Sequence, residues 1–180
     1  MNIVEKAEEF ATKCHEGQFR KDGKTPYINH PKAVVYLLKR VGITDETILA
    51  SAWLHDVMED CNVDYDTLEE EFGLDVADIV SQLTFDSDDK DPYNFQKDLY
   101  LARLAASDDI ELILIKCADR IHNTLCFINS GEVKYAKKYF YKAACIFGAV
   151  KLRSTRYSEE IKEWCRKMFE EVKSVIKELK

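Results

Sequence analysis

The sequence predicts an all-α fold, and three observations lead to this prediction. Apolar residues recur three and four positions apart along most of the 180 residues, which is the period of an amphipathic helix. Only three prolines and six glycines interrupt the chain, so few positions would break a helix. No run of alternating apolar and polar residues predicts a strand. We expect one helical domain over residues 1–180, with long helices toward the C-terminus.

The first half of the chain predicts a succession of helices separated by glycines. Five are expected, at about residues 3–16, 31–41, 44–56, 67–72 and 76–83. Pro31 is predicted at the first position of the second helix, where the missing N–H is not needed. The third helix runs into His55 and Asp56, so we expect these two side chains at the end of a buried helix.

The second half predicts longer helices. Residues 85–92 form a loop rich in aspartate, and Pro92 opens a helix that buries Phe95, Leu99, Ala102 and Ala106. The helix that starts near residue 109 is apolar nearly all round, so we expect it to be central and to end in the segment 119–123. Two further helices are expected at about 132–152 and 158–180. The last one carries a near-heptad apolar seam, which indicates core packing or, as a second interpretation, a homodimer contact.

Composition excludes several classes of protein. Residues 41–91 contain sixteen acidic residues and one lysine, and such a block argues against a nucleic-acid partner. No apolar run is long enough to span a membrane, and no signal peptide pattern opens the chain. The six cysteines stand singly, which favours reduced thiols over a disulfide framework. We therefore expect a cytoplasmic protein.

The first chemical motif follows the third predicted helix. It places His55, Asp56, Glu59 and Asp60 within six positions, and side chains three or four apart share one helix face. Carboxylates at a helix C-terminus are electrostatically unfavourable unless a cation compensates them. The motif therefore predicts a divalent metal site, with an acidic exposed helix end as the alternative.

The second motif is an aspartate at the end of an apolar helix. Asp119 follows a long apolar run, and Lys116 and Asn123 lie three residues before it and four after it on the same face. A buried carboxylate needs a partner, and a metal ion is one. A structural ion pair between Asp119 and Lys116 or Arg120 is the alternative that the sequence leaves open.

The third motif is a basic loop that leads to a histidine. Arg20, Lys21 and Lys24 flank Gly23, and His30 follows immediately before Pro31. Positive side chains beside a metal suit phosphate groups. His30 is a candidate ligand, although a packed ring or a helix cap would also explain a single histidine here.

These motifs together resemble one known family. They read TPYINHP at 25–31, LHDVMED at 54–60 and IKCADRIHN at 115–123, with FG at 72–73 and LT at 83–84. Over about residues 3–155 the chain is similar to the HD-domain hydrolases of the RelA/SpoT group, and within it to the stand-alone small alarmone hydrolases. The resemblance implies an HD-domain helical bundle that removes the 3′-diphosphate of guanosine tetra- or pentaphosphate. The products would be GDP or GTP and pyrophosphate.

The resemblance also implies roles for individual residues. It implies a single Mn²⁺ ion bound by His30, His55, Asp56 and Asp119. It implies Glu59 and Asp60 as the catalytic pair. It also implies Arg20, Lys21 and Asn123 as substrate contacts. The positive charge of Lys116 makes that residue a further candidate contact. The ligand types alone would also suit Zn²⁺, Fe²⁺ or Co²⁺.

A second enzyme function keeps the metal site and changes the substrate. In this alternative the chain is an HD-type phosphatase of another nucleotide, such as NADPH or a deoxynucleotide. A domain that only senses an alarmone would be expected to lack part of the metal set or the Glu59–Asp60 pair, and all of these residues are present. A helical adaptor or dimerisation module would depend on the last predicted helix alone.

Overall fold

A computed structural model describes residues 2–86, 93–107 and 109–142, with a few further positions between 159 and 174. The helices are α1 Ile3–Cys14, α2 Asn29–Arg40, α3 Glu46–Leu54, α4 Val57–Asp60, α5 Tyr65–Phe72, α6 Leu74–Leu83, α7 Tyr93–Ala106, α8 Ile110–Asn129 and α9 Val133–Lys142. Within these residues, extended backbone pairs only at a single antiparallel bridge between Phe19 and Pro26. The predicted all-α fold is confirmed.

The chain divides into two compact units, residues 1–86 and residues 87–180. In the first unit α3 packs against α1, α2 and α6. Asp45 caps α3 by accepting hydrogen bonds from the N–H groups of Thr47 and Ile48. Every residue from Ile48 to Leu54 is buried, as expected of a helix enclosed on all sides. The expectation of one domain over residues 1–180 stays a prediction.

Helix α2 begins earlier than the sequence predicted. Pro31 is the third residue of α2 rather than the first, and His30 lies inside the first turn rather than before it. The turn is already formed by hydrogen bonds from the N–H groups of Asn29 and His30 to the carbonyls of Pro26 and Tyr27. Proline is still tolerated there because the first N–H groups of a helix have no intrahelical partner.

The segment after α3 is not one continuous helix. Helix α3 ends at Leu54, and Asp56, with φ −109° and ψ −5°, starts the short helix α4. The ring Nδ1 of His55 contacts the carbonyl oxygen of Ala52 at 2.8 Å. An uninterrupted helix would offer this carbonyl to the N–H of Asp56. Competition for this acceptor accompanies a bend between α3 and α4.

In the second unit α8 is the buried element, as predicted. Its residues from Leu112 to Ile121 are all buried, and α8 packs against α7 and α9. The predicted end of this helix within segment 119–123 is wrong, since α8 continues to Asn129. The helix ends just before Gly131, which has a φ of +81° that favours glycine. The Asp119 motif therefore lies in mid-helix.

The buried face of α7 also differs from the prediction. Phe95 and Leu99 are 53% and 55% exposed, and Ala102 and Ala106 are exposed as well. The buried residues are Tyr100, Leu101 and Leu104. Apolar side chains lie on both faces of α7, so the periodicity alone does not select the one that packs.

Several predicted elements fall outside the described residues. They are most of the loop at 85–92, the part of the helix at 132–152 beyond Lys142, and nearly all of the helix at 158–180. The four cysteines that the structure describes, Cys14, Cys61, Cys117 and Cys126, are free thiols. Among the helices described, none has both the length and the apolar character to cross a membrane.

Candidate metal centre

Two histidines and an aspartate converge in the first unit. The Nε2 atoms of His30 and His55 lie 3.3 Å apart. Asp56 Oδ2 lies 3.4 Å from the first nitrogen and 3.3 Å from the second. Both histidines are 1% exposed and the Asp56 side chain is 13% exposed. Among the residues that the structure describes, these three form the group able to hold a metal ion.

The three donor atoms fit a single divalent ion. The contact between His55 Nδ1 and the Ala52 carbonyl places the proton of the imidazole on Nδ1, which leaves the Nε2 lone pair for a ligand. Donors bound to one ion at about 2.1 Å lie roughly 3.0 to 3.4 Å from one another. The observed separations of 3.3 and 3.4 Å match that range. This cluster can therefore supply three ligands on one side of an ion.

Tyr27, to which sequence reasoning assigned no role, contacts two of the three candidate ligands. Its hydroxyl donates a 2.8 Å hydrogen bond to Asp56 Oδ2, and its ring meets His30 edge-on with centroids 5.9 Å apart. Burial and the charges of Asp56 and Asp60 raise the pKa of Tyr27 above its usual value, so the hydroxyl keeps its proton. The available signal was the place of Tyr27 in the TPYINHP motif that contains His30.

His15 and Gln18 lie behind Tyr27. The His15 ring is buried and stacks on Tyr27 with centroids 4.6 Å apart. His15 Nδ1 lies 2.8 Å from Gln18 Oε1, and Gln18 Nε2 donates to the backbone carbonyl of Asp60 at 3.0 Å. The region at the end of α1 is thus connected to Asp56 through Tyr27 and to Asp60 through Gln18.

The predicted catalytic pair lies on α4, which directly follows Asp56. Glu59 and Asp60 are both exposed. Glu59 Oε2 accepts a 3.3 Å hydrogen bond from the N–H of Phe85, while the Asp60 carboxylate interacts with the Tyr27 hydroxyl. Through Tyr27, the structure brings Asp60 beside the metal-ligand candidates, and Glu59 lies one residue before it in α4.

The basic loop is ordered by one carboxylate. Asp22 accepts hydrogen bonds from the N–H groups of Lys24 and Thr25 and from the Thr25 hydroxyl. These bonds, that of the Thr25 side chain first, lower the pKa of Asp22 to about 2. The guanidinium of Arg20 lies over the Tyr27 ring, 5.2 Å from its centroid, which places Arg20 near the cluster. Lys21 is exposed in the same loop.

In the second unit the structure brings together the three residues of the Asp119 motif. Asp119 Oδ2 forms a 3.0 Å ion pair with Lys116 Nζ, and Asp119 Oδ1 accepts a short hydrogen bond from Asn123. The amide of Asn123 also donates to the Tyr139 hydroxyl at 3.3 Å. Burial opposes the charge of Lys116, but Asp119 and neighbouring tyrosines raise its pKa above the usual value. The shared helix face was predicted correctly, and the ion pair left open by the sequence is present.

Comparison with known proteins identifies the class of this helical domain. Residues 7–147 match the HD domain family. The chain belongs to the HD domain family, in which paired histidines and aspartates imply a divalent metal.

Within this family, the relatives carry one recurrent name. The chain is 38% identical over 123 residues to the guanosine-3′,5′-bis(diphosphate) 3′-pyrophosphohydrolase MESH1 of Xenopus tropicalis, which covers 67% of each protein. It is 42% identical over 120 residues to the enzyme of the same name from Haemophilus influenzae, covering 63% of the chain and 17% of that protein. The corresponding Aquifex aeolicus protein is 32% identical over 182 residues, covering 97% of the chain and 26% of that protein. The chain thus spans about a quarter or less of both bacterial relatives.

Solved structures agree on the fold. One is described as a metazoan ortholog of SpoT that hydrolyzes ppGpp; it has a TM-score of 0.75 at 24% identity, covering 100% of this chain and 98% of its own. The protein lmo0812 of Listeria monocytogenes has a TM-score of 0.64 at 21% identity, covering 83% of this chain and 99% of its own. The predicted HD-domain helical fold is therefore confirmed.

Proposed function

We propose that the chain is a metal-dependent guanosine-3′,5′-bis(diphosphate) 3′-pyrophosphohydrolase. It would hydrolyse the 3′-diphosphate of guanosine tetra- or pentaphosphate to give GDP or GTP and pyrophosphate. The observation that carries this proposal is the triangle of donor atoms on His30, His55 and Asp56. The shared name of the relatives supports the choice of substrate.

The proposed metal is Mn²⁺, which suits two imidazoles and a carboxylate. Its ligands would be His30, His55, Asp56 and, from the motif in α8, Asp119. When bound, the ion would supply Lewis acidity and lower the pKa of a water molecule toward neutrality. Support for Asp119 comes from the resemblance in its motif, and the other three ligands are also supported by the distances between their donor atoms.

The proposed catalytic pair is Glu59 and Asp60. Both carboxylates are exposed on α4, directly after Asp56, so they can exchange protons with a nucleophilic water or with solvent. Glu59 would accept the proton of the attacking water, and Asp60, which interacts with the Tyr27 hydroxyl, would support it. Acid–base assistance of this kind typically contributes 10²- to 10⁴-fold to the rate.

The proposed substrate contacts are positive or amide side chains. Arg20 and Lys21 in the basic loop would neutralise phosphate charge, and the position of Arg20 over Tyr27 supports its assignment. Asn123 and Lys116 are proposed contacts from α8. Lys116 also has a structural role, because it already pairs with Asp119. The free thiols of the four described cysteines suit the reducing cytoplasm that we propose as its location.

The test is incubation of the protein with guanosine 3′,5′-bisdiphosphate and Mn²⁺, with products separated by anion exchange. We expect GDP and pyrophosphate from the wild-type protein and neither product from Asp56→Ala. Parallel incubations contain NADPH or a deoxynucleoside triphosphate. Orthophosphate from NADPH, or hydrolysis of the deoxynucleotide, together with an intact guanosine substrate would replace the proposed substrate with the alternative. No product from any of the three substrates would contradict the enzymatic function.

A further inference from the structure

We propose that Tyr27, braced by His15 and Gln18, is a positioning residue that fixes the carboxylate of Asp56 for metal binding. This inference rests on the proposed metal site and adds to it three side chains that neither bind the ion nor carry out the chemistry. All of the contacts involved lie within the first compact unit.

Tyr27 contacts two of the candidate ligands. Its hydroxyl donates to Asp56 Oδ2, the same oxygen that faces both imidazole nitrogens. The edge of its ring packs against His30. A carboxylate has two oxygens and can rotate about its side-chain bonds. The hydrogen bond from Tyr27 selects the rotation that turns Oδ2 toward the histidines.

The Tyr27 ring is in turn held by the His15 ring, which Gln18 orients. His15 stacks on it at an interplanar angle of 22°, and His15 is itself buried. Gln18 Nε2 donates to the Asp60 carbonyl, so the Gln18 oxygen is left to accept from His15 Nδ1. The His15 proton therefore lies on Nδ1 and its ring orientation is fixed. A fixed imidazole in turn restricts the plane of the Tyr27 ring.

Tyr27 and Gln18 together hold the segment Asp56–Asp60 at both of its ends. Tyr27 attaches to its first residue through the side chain, and Gln18 attaches to its last residue through the backbone carbonyl. The segment starts at a bend and contains only the short helix α4, so its own helical hydrogen bonds are few. Two anchors from outside would therefore set the direction of the Asp56 carboxylate. Hydrogen-bond partners of metal ligands commonly control ligand orientation in this way.

The experiment compares Mn²⁺ affinity, measured by isothermal titration calorimetry, for the wild-type protein, Tyr27→Phe and the control Tyr36→Phe. Tyr36 also lies near the beginning of the chain, in α2, but it is 60% exposed. We expect Tyr27→Phe to weaken Mn²⁺ binding about 10- to 100-fold, with an unchanged melting temperature. The affinity of Tyr36→Phe should equal that of the wild type.

The steady-state kinetics provide a second readout. We expect kcat of Tyr27→Phe to recover at saturating Mn²⁺, with an unchanged KM for the guanosine substrate. A changed KM with wild-type Mn²⁺ affinity would make Tyr27 a substrate contact and overturn the inference. A lower melting temperature with wild-type Mn²⁺ affinity would make it a packing residue and overturn it equally.

A second variant tests the brace. Gln18→Met keeps the length of the side chain and removes its hydrogen bonds to His15, to the Asp60 carbonyl and to the Cys61 sulfur. We expect a smaller loss of Mn²⁺ affinity, about tenfold. If Gln18→Met and Tyr27→Phe both bind Mn²⁺ as the wild type does, the positioning inference fails while the metal site stands. If the wild type itself binds no Mn²⁺, the proposed function and this inference fail together.

Discussion

Asp56 and Asp119 both have carboxylates that are largely shielded from solvent, with side-chain exposures of 13% and 5%, but their charges are compensated in different ways. Asp56 Oδ2 faces two imidazole nitrogens and a tyrosine hydroxyl. Asp119 instead has a lysine ammonium group on one oxygen and a side-chain amide on the other. The contacts described for Asp56 are therefore to groups that are neutral or can be neutral. Asp119 instead pairs with the positively charged ammonium group of Lys116, which lies in the same helix.

This difference predicts different consequences of mutation. Removing one partner of a buried ion pair leaves an uncompensated charge and destabilises the fold. Removing a carboxylate that is directed toward the nitrogens of the proposed metal site would cost metal affinity instead. Loss of Asp56 is therefore expected to reduce mainly the metal affinity, whereas loss of Lys116 is expected to reduce mainly the stability of the fold.

The largest expected effect is that of Asp56→Ala. Mn²⁺ binding should fall below detection and turnover should fall by at least about 10³-fold, because a bound ion contributes several kcal/mol to stabilising the transition state. Calorimetry and the pyrophosphate assay measure the two effects. Asp66→Ala, an exposed aspartate in α5, is the matched control. Wild-type Mn²⁺ affinity in Asp56→Ala would remove this residue from the ligand set.

Glu59→Gln separates chemistry from metal binding. Turnover should fall by about 10²- to 10⁴-fold, since an amide cannot accept the proton from water. Mn²⁺ affinity should remain that of the wild type. Glu69→Gln, in α5 and exposed, should change neither quantity. An equal loss of metal in Glu59→Gln and Asp56→Ala would show that Glu59 is a ligand rather than a base.

Lys116→Met tests the contribution of the ion pair between Lys116 and Asp119 to the stability of the fold. It should lower the free energy of unfolding by about 3 to 5 kcal/mol, because it leaves the Asp119 carboxylate buried without its ammonium partner. Urea denaturation measures this change, and the exposed Lys134→Met provides the control. A change within about 0.5 kcal/mol, typical of surface substitutions, would contradict a structural role for the ion pair.

The same ion pair predicts a pH dependence of stability. The pKa of Lys116 is raised above its ordinary value of 10.5. Its contribution to stability is therefore fully present below pH 10.5 and is lost as the pH rises through the higher pKa of the folded state. Above pH 10.5 the difference in unfolding free energy between wild type and Lys116→Met should narrow. A constant difference up to alkaline denaturation would contradict the assignment.

The smallest expected effect is that of Asp22→Ala in the basic loop. Loss of its bonds to Lys24 and Thr25 should raise KM for the guanosine substrate only about two- to fivefold, since interactions between exposed groups contribute little. The pKa of Asp22 is lowered from 3.8 to about 2. Its ordering effect is thus present above pH 3.8 and is lost toward pH 2, and amide exchange of Thr25 in that range measures the loss.

Some of this molecule was predictable because local rules decide it. The third helix was predicted to begin at about residue 44 and the fourth to end at about residue 72. In the structure Asp45 caps α3, and Gly73 follows the last residue of α5 with a φ of +84°. The shared face of Lys116, Asp119 and Asn123 follows from helix periodicity alone. These features involve residues close together in sequence, so no knowledge of packing is needed to derive them.

Other features depended on which surfaces pack. Helix α7 carries apolar residues on two faces, and only the tertiary structure selects Tyr100, Leu101 and Leu104 as the buried ones. The bend at Asp56 was not predictable from periodicity, because it accompanies a contact of the His55 ring with the Ala52 carbonyl. In both cases the local pattern allows more than one arrangement.

The sequence by itself determined the all-α class, the family resemblance and the residue types of the proposed metal site, because helix period and motif spacing are local properties of the chain. Only the tertiary structure decided that His30, 25 residues before His55, places its Nε2 atom 3.3 Å from that of His55. It also brought the Tyr27 hydroxyl to Asp56 and stacked His15 on the Tyr27 ring. The physical reason is that hydrogen bonds and ring contacts between distant segments depend on how the helices pack, which the order of residues does not specify locally.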